Sequence, residues 1–190
     1  MSGGPRISPL PHEEIGAEER EMITHLQAAA GVPHSARVPE VVATLLRHPP
    51  LYEKHVAIGV ELLGSGALTA RHRELAILRT AWLSGAPFEW GEHVAIAKRA
   101  GIDCTEIERL TKGGAAKGWN SDDKAVIQAA EELHDDAMIS DPVWAALSAF
   151  LDERQLIELV YVIGHYTKVA YLQNALRLRL TPGNEGFAAR

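Results

Sequence analysis

Glu89 and His93 lie four residues apart, so on a helix both side chains leave the same face. An imidazole beside a carboxylate can exchange a proton near neutral pH. A third titratable group, Glu74, stands between Arg73 and Leu75 in the most apolar segment of the chain. A carboxylate placed there is either paired or has its pKa raised by desolvation. If Glu74 faces the other two across a helix pair, three titratable groups share one pocket with Trp82 and Trp90 as aromatic walls. Such an arrangement suits acid–base work. Three plainer arrangements stand beside it. Glu74 could be a buried salt bridge to Arg71, Arg73 or Arg79. Glu89 and His93 could be a solvent-facing pair worth about a few tenths of a kcal/mol. His93, Glu74 and Glu89 could hold a metal, but a first-row metal normally takes more imidazole or thiolate, so no metal and no cofactor is expected.

Arg71 or Arg73 would bind a substrate carboxylate, because a guanidinium fork matches it bidentately. Tyr52, Trp82, Phe88, Trp90 and His165 are the candidate pocket walls. His165 follows Gly164 inside a helical pattern, where glycine costs ~1 kcal/mol relative to alanine and often marks a close crossing or a cavity. A satisfied core histidine is the alternative there. Cys104, beside a helix cap, reads as structural.

Other chemistries are excluded by what is missing. There is no phosphate loop, no dinucleotide fingerprint, no strand-borne nucleophile elbow and no Cys-x-x-Cys. One cysteine cannot form an intramolecular disulfide. With 19 basic against 25 acidic side chains, no net positive field exists to release counterions from nucleic acid. No apolar run approaches the ~20 residues of a spanning helix, and the first fourteen residues do not read as a signal peptide. The expected compartment is the cytoplasm, with a small molecule as partner and neither nucleic acid nor membrane.

The elements that must position these groups read as all-α, with eight or nine helices and no persistent β-branched alternation. Residues 1–14, with Pro5, Pro9 and Pro11, form an extended arm. Residues 15–180 form one helical domain, and residues 181–190 a flexible tail. Helices are expected from Ile15 to a stop at Gly31 and Pro33, from Pro39 to Leu46, and from about Leu51 to Leu63. Thr69 caps a fourth over Ala70–Ser84, and Gly85 and Pro87 bend the chain into a fifth from about Phe88 to Ala100. Asp103 caps a sixth, Ser121 starts a seventh to about Met138, and Asp141 caps an eighth. Asp152 with Gln155 caps a ninth, from Glu153 to Leu178.

The segment from Arg73 to Gly101, with its Trp-Leu-Ser-Gly-Ala-Pro-Phe-Glu-Trp-Gly-Glu-His core, resembles the carboxymuconolactone decarboxylase family of the alkylhydroperoxidase D-like superfamily. The segment Leu156–Leu176 resembles the last core helix of the same family. The resemblance implies an all-α fold and a homo-oligomer: a dimer, trimer or hexamer. The peroxidase branch carries Glu, eleven residues, Cys, two residues, Cys, three residues, His. That spacing is preserved from Glu74 to His93, but Ala86 and Glu89 occupy the cysteine positions. Neither side chain can supply the thiolate that attacks a peroxide. The relay Glu and His carry over as Glu74 and His93; the redox pair does not.

The expected function is a cofactor-independent acid–base enzyme of decarboxylase, lyase or isomerase type, acting on a small organic acid, lactone or enolisable carbonyl. His93 would be general base or acid, Glu89 would orient it or share its proton, and Glu74 would relay or hold a buried proton. The alternative is a non-catalytic oligomeric binding protein on the same fold. Alkylhydroperoxidase-type antioxidant activity is disfavoured by the two replaced cysteines.

Overall fold

The structure, a computed structural model, describes residues 4–31 and 38–190. Nine α-helices and no strand are found among them: α1 Ala17–Ala29, α2 Glu40–Leu45, α3 Pro49–Val60, α4 Ala70–Leu83, α5 Pro87–Arg99, α6 Cys104–Lys112, α7 Ser121–Asp136, α8 Asp141–Ser148 and α9 Glu153–Leu176. None is long and apolar enough to cross a membrane.

The expected caps at Thr69, Asp103 and Asp152 are in place. Thr69 accepts from the backbone of His72, and Asp103–Glu106 and Asp152–Gln155 close reciprocal capping boxes. Asp141 is not a cap. It is the first residue of α8, and Ser140 holds the cap position without a side-chain bond. Helix α3 begins two residues earlier than expected, because Pro49 occupies the first turn, where its missing N–H costs nothing. It passes into a π-helical turn over Glu61–Ser65. Helix α1 ends at Ala29; the expected stop at Pro33 lies outside the described residues.

α4 is the central element and packs against α5, α7 and α9. Its Leu75, Ile77 and Leu78 are fully buried. Burying each such side chain contributes ~1.5–3 kcal/mol relative to exposure. The main core gathers these with residues of α5–α9, while Ile15, Ile23, Ala43, Leu46, Tyr52 and Val56 form a second, smaller core under α1–α3.

Residues 181–190 correct the expectation of a flexible tail. Gly186–Ala188 forms a 3-10 turn against α5, Phe187 packs on the main core, and Ala189 is buried. The carbonyl of Ala189 accepts the indole N–H of Trp90 at 3.1 Å. Ten residues with one tryptophan-sized anchor point cannot be read from local pattern, because the docking face lies on α5, some ninety residues earlier.

Candidate active site

α4 and α5 form an antiparallel hairpin whose turn needs Gly85, at φ +60°, a left-handed conformation that favours glycine. Pro87 then starts α5 in its first turn. The hairpin lays Glu74 beside His93: Nδ1 of the imidazole is 2.7 Å from Glu74 Oε2. The four-residue spacing brings Glu89 to the other ring nitrogen, with Nε2 3.2 Å from Glu89 Oε1. Glu74 is sealed from solvent, and Glu89 and His93 are nearly so. The solvent-facing reading of the Glu89–His93 pair is therefore wrong. Arg73 Nε donates to the remaining oxygen of Glu74 at 3.0 Å.

The imidazole is thus clamped between two carboxylates. Burial alone would lower its pKa, but attraction and hydrogen bonds from Glu74 and Glu89 outweigh this and push it up to about 10. His93 is an imidazolium at neutral pH. Four charges, two of each sign, then form one buried line: Arg73, Glu74, His93, Glu89.

α9 and α3 supply the opposite wall. Gln173 donates from Nε2 to Glu89 Oε2 at 2.5 Å. Tyr166 meets His93 edge-to-face, ring centroids 4.9 Å apart. Burial, reinforced by Glu89 and Glu74, raises the Tyr166 phenol well above its ordinary pKa, so it stays a neutral donor. His55 and His165 stack in parallel, and Lys168 reaches both.

Between these walls lies a cavity of about 180 Å³ at the seam of the two cores. Glu89, His93, His55, His165 and Tyr166 reach it, and Ile23, Leu26, Val42, Ile96 and Val169 make its apolar lining. Glu74 does not line it; it stands one layer behind His93. A larger apolar groove of about 640 Å³ runs along the outer face of α9 past Trp144 and Tyr161, but it has no carboxylate.

Of the residues singled out from the sequence, the structure brings Glu74, Glu89, His93, Arg73 and His165 together. Arg71 is elsewhere. It bridges Glu106 of α6 at 2.5 Å and Asp123 of α7 at 2.7 Å, and so cannot bind a ligand here. Tyr52 is buried in the smaller core and does not line this cavity. Trp82 and Trp90 face each other and Phe187 of the tail, on the opposite side of α5. Phe88 is buried outside the cavity, its carbonyl accepting from Asn184. Ala86 is sealed in the main core, and Cys104 is exposed at the start of α6. Among the described residues, no group of three His, Cys, Asp or Glu is placed to hold a metal ion.

Sequence reasoning missed His55 and Gln173, and in the candidate stretch Gly164–Lys168 of α9 it gave a role to His165 but none to Tyr166 or Lys168. One signal was available for Gln173: it continues the buried stripe Leu159, Ile163, Tyr166, Ala170 of α9, and a lone amide on such a stripe needs a buried partner.

The model of the carboxymuconolactone decarboxylase family matches residues 49–132. No curated protein matches the sequence. Among solved structures, an uncharacterized peroxidase-related protein from Silicibacter sp. TM1040 is similar, with a TM-score of 0.78, 16% identity and coverage of 98% of both chains. The alkylhydroperoxidase AhpD core of an uncharacterized peroxidase-related protein from Ralstonia eutropha JMP134 gives a TM-score of 0.77 at 16% identity, covering 96% of this chain and 95% of that one. The debrominase Bmp8 in complex with 2,3,4-tribromopyrrole gives 0.75 at 12% identity, covering 95% and 94%. At these identities the likeness is one of fold.

Proposed function

We propose, from the match of residues 49–132 to the carboxymuconolactone decarboxylase family model and from the fold shared with alkylhydroperoxidase-like structures, that the chain is a cofactor-independent acid–base enzyme for a small organic acid, lactone or enolisable carbonyl. The observation that supports this reading is the buried line Glu74–His93–Glu89, of which His93 and Glu89 open into a ring-sized apolar cavity.

The charge state of His93 divides the roles. An imidazolium cannot accept a proton, so the base is Glu89, the carboxylate at the cavity wall. Glu89 takes a proton from the carbon acid, and the electron pair left behind moves onto the substrate carbonyl oxygen. His93 is the acid: its Nε2 returns a proton to carbon at a new position, which completes an isomerisation. The proton gained by Glu89 then passes along the 3.2 Å bond to Nε2, restoring the starting state. Glu74, held by Arg73, keeps His93 charged throughout.

The test is solvent-deuterium exchange into a panel of small ketones, keto acids and lactones, followed by NMR. The wild-type chain is expected to exchange α-protons of at least one compound. Glu89→Gln and His93→Gln are expected to lose about 10²–10⁴-fold in rate, the usual worth of a positioned acid or base. The bond from Arg73 to Glu74 also fits a locked network in a non-catalytic binding protein. Exchange absent across the panel, or undiminished in both variants, would favour that second reading and overturn the first.

A further inference from the structure

The stacked pair His55 and His165 has no place in the proton transfer, yet both rings line the cavity. Their centroids are 5.1 Å apart and their planes lie within 1°. Lys168 Nζ is 3.0 Å from His55 Nδ1 and 3.4 Å from His165 Nδ1. An ammonium only donates, so each Nδ1 must accept. A neutral imidazole that accepts at Nδ1 carries its proton at Nε2. Both rings are neutral: burial, then the Lys168 charge, lowers His55 to about 4 and His165 to about 3. Lys168 therefore fixes one tautomer in both rings and drives their N–H groups to the edges away from itself.

Among the described residues, nothing hydrogen-bonds Nε2 of either ring, and neither atom is a sealed, unsatisfied one. Lys168 stands behind the pair, lining the outer pockets rather than this cavity, and makes no ion pair among the described residues. Elsewhere in the cavity the charges are already matched: Glu89 by His93, and Glu92 turned to the donors Thr181 and Asn184. What the pair lacks is an acceptor. Two parallel N–H donors backed by a cation fit the two oxygens of a carboxylate. The volume sets the size, since an engineered cavity of ~150 Å³ takes a benzene ring.

We propose that His55 and His165, oriented by Lys168, form a carboxylate-binding subsite that takes a ring-sized monocarboxylic acid and points its far end at Glu89 and His93. This names the substrate class for the acid–base reading and rests on that reading for what happens at the far end.

Benzoate is the probe, because it has no proton for Glu89 to remove and so reports the subsite alone. Calorimetric titration of the full chain is expected to show saturable benzoate binding, at least tenfold tighter than that of neutral benzamide. Lys168→Met and His165→Gln, each checked for an unchanged fold by circular dichroism, are expected to weaken benzoate at least tenfold while leaving benzamide within twofold. Nitrogen-15 NMR of the wild-type rings is expected to show the Nε2–H tautomer in His55 and His165, with both Nε2 signals moving on benzoate addition. The proposal is overturned by absent benzoate binding, by variants that bind benzoate as the wild type does, or by an Nδ1–H tautomer in either ring. Because no turnover is needed, benzoate binding without deuterium exchange in the earlier panel would sink the acid–base reading and leave the subsite standing.

Discussion

Glu74 shows how a charge can be kept in the core of an α-helical protein. It has lost all contact with water, and an isolated carboxylate there would simply take up a proton. Arg73 and His93 each place a nitrogen against one of its oxygens. The consequence falls on His93, whose pKa in the folded chain stands at about 10 against 6.5 for the free imidazole. The folded value is above the unfolded one. Stability from this group is therefore complete below about pH 6.5 and is lost as pH rises through about 10. A melting-temperature profile is expected to fall between pH 7 and 10 in the wild type. In His93→Gln the same span is expected to be nearly flat, with a lower melting temperature at pH 7. A slope unchanged in the variant would show that His93 is not the group that titrates. At this scale the sequence was informative about which residues carry charge near one another, because Glu89 and His93 share a helix face and Glu74 is the odd carboxylate in an apolar helix. It was silent on protonation, which depends on partners converging from three helices.

Arg71 and Arg73 are separated by one residue, yet one clamps three helices and the other feeds the site. Their helix directions differ, and only the positions of α6 and α7 decide which is which. Asp123, almost fully buried, is paired with Arg71 at 2.7 Å. Its other side-chain donor is Asn120 Nδ2, while the Asp123 backbone N–H caps onto Asn120 Oδ1. Removing Arg71 leaves that carboxylate short of a partner at the junction of α4, α6 and α7. Arg71→Ala is expected to cost roughly 2–3 kcal/mol in urea unfolding, somewhat below the usual penalty for breaking a buried pair because Arg71 is partly exposed. Asp123→Asn in the Arg71→Ala background is expected to recover part of the loss; an additive double variant would refute the pairing. Helix existence and most caps were legible because they depend on a few neighbouring residues. The contribution of α3 to the site was not, and of α9 only His165 was assigned a place there. His55 and His165 are 110 residues apart, and no local pattern marks them as neighbours.

Across the whole molecule the cavity lies where two cores meet. The α4–α9 core is continuous, whereas α1–α3 pack as a smaller unit laid over it. The family match begins at Pro49 and so leaves out α1 and α2, although Ile23, Leu26 and Val42 from these helices form part of the chamber wall. The family segment carries Glu74, Glu89, His93 and His55, the amino-terminal helices shape the space in front of them, and α9 adds His165, Lys168 and Gln173. The cavity is thus lined by parts of the chain on both sides of the matched segment as well as by the segment itself. Sequence reading placed Glu74, Glu89 and His93 near one another because they sit in one helical hairpin, and the fold class was legible from the helical periodicity. It misassigned Trp82 and Trp90 to the chamber because the element that buries them is the carboxyl-terminal tail.

That tail also gives the protein its own optical reporter. Trp90 is fully enclosed, and its indole N–H is bonded to the carbonyl of Ala189, while Phe187 packs edge-on against Trp82 and the Arg190 guanidinium lies over both indoles. Emission from these two indoles reads whether the last ten residues are docked. In a chain carrying Trp119→Phe and Trp144→Phe, deletion of residues 181–190 is expected to shift emission to longer wavelength as water reaches Trp82 and Trp90. The melting temperature should fall by roughly 5–15 °C, from about 2–4 kcal/mol of lost apolar burial and an orphaned indole donor. Unchanged emission and melting would mean that the tail is not held in solution. If it is held, ligand binding on the far face of α5 can be followed by fluorescence without attaching a dye, since His93 and Trp90 share that helix.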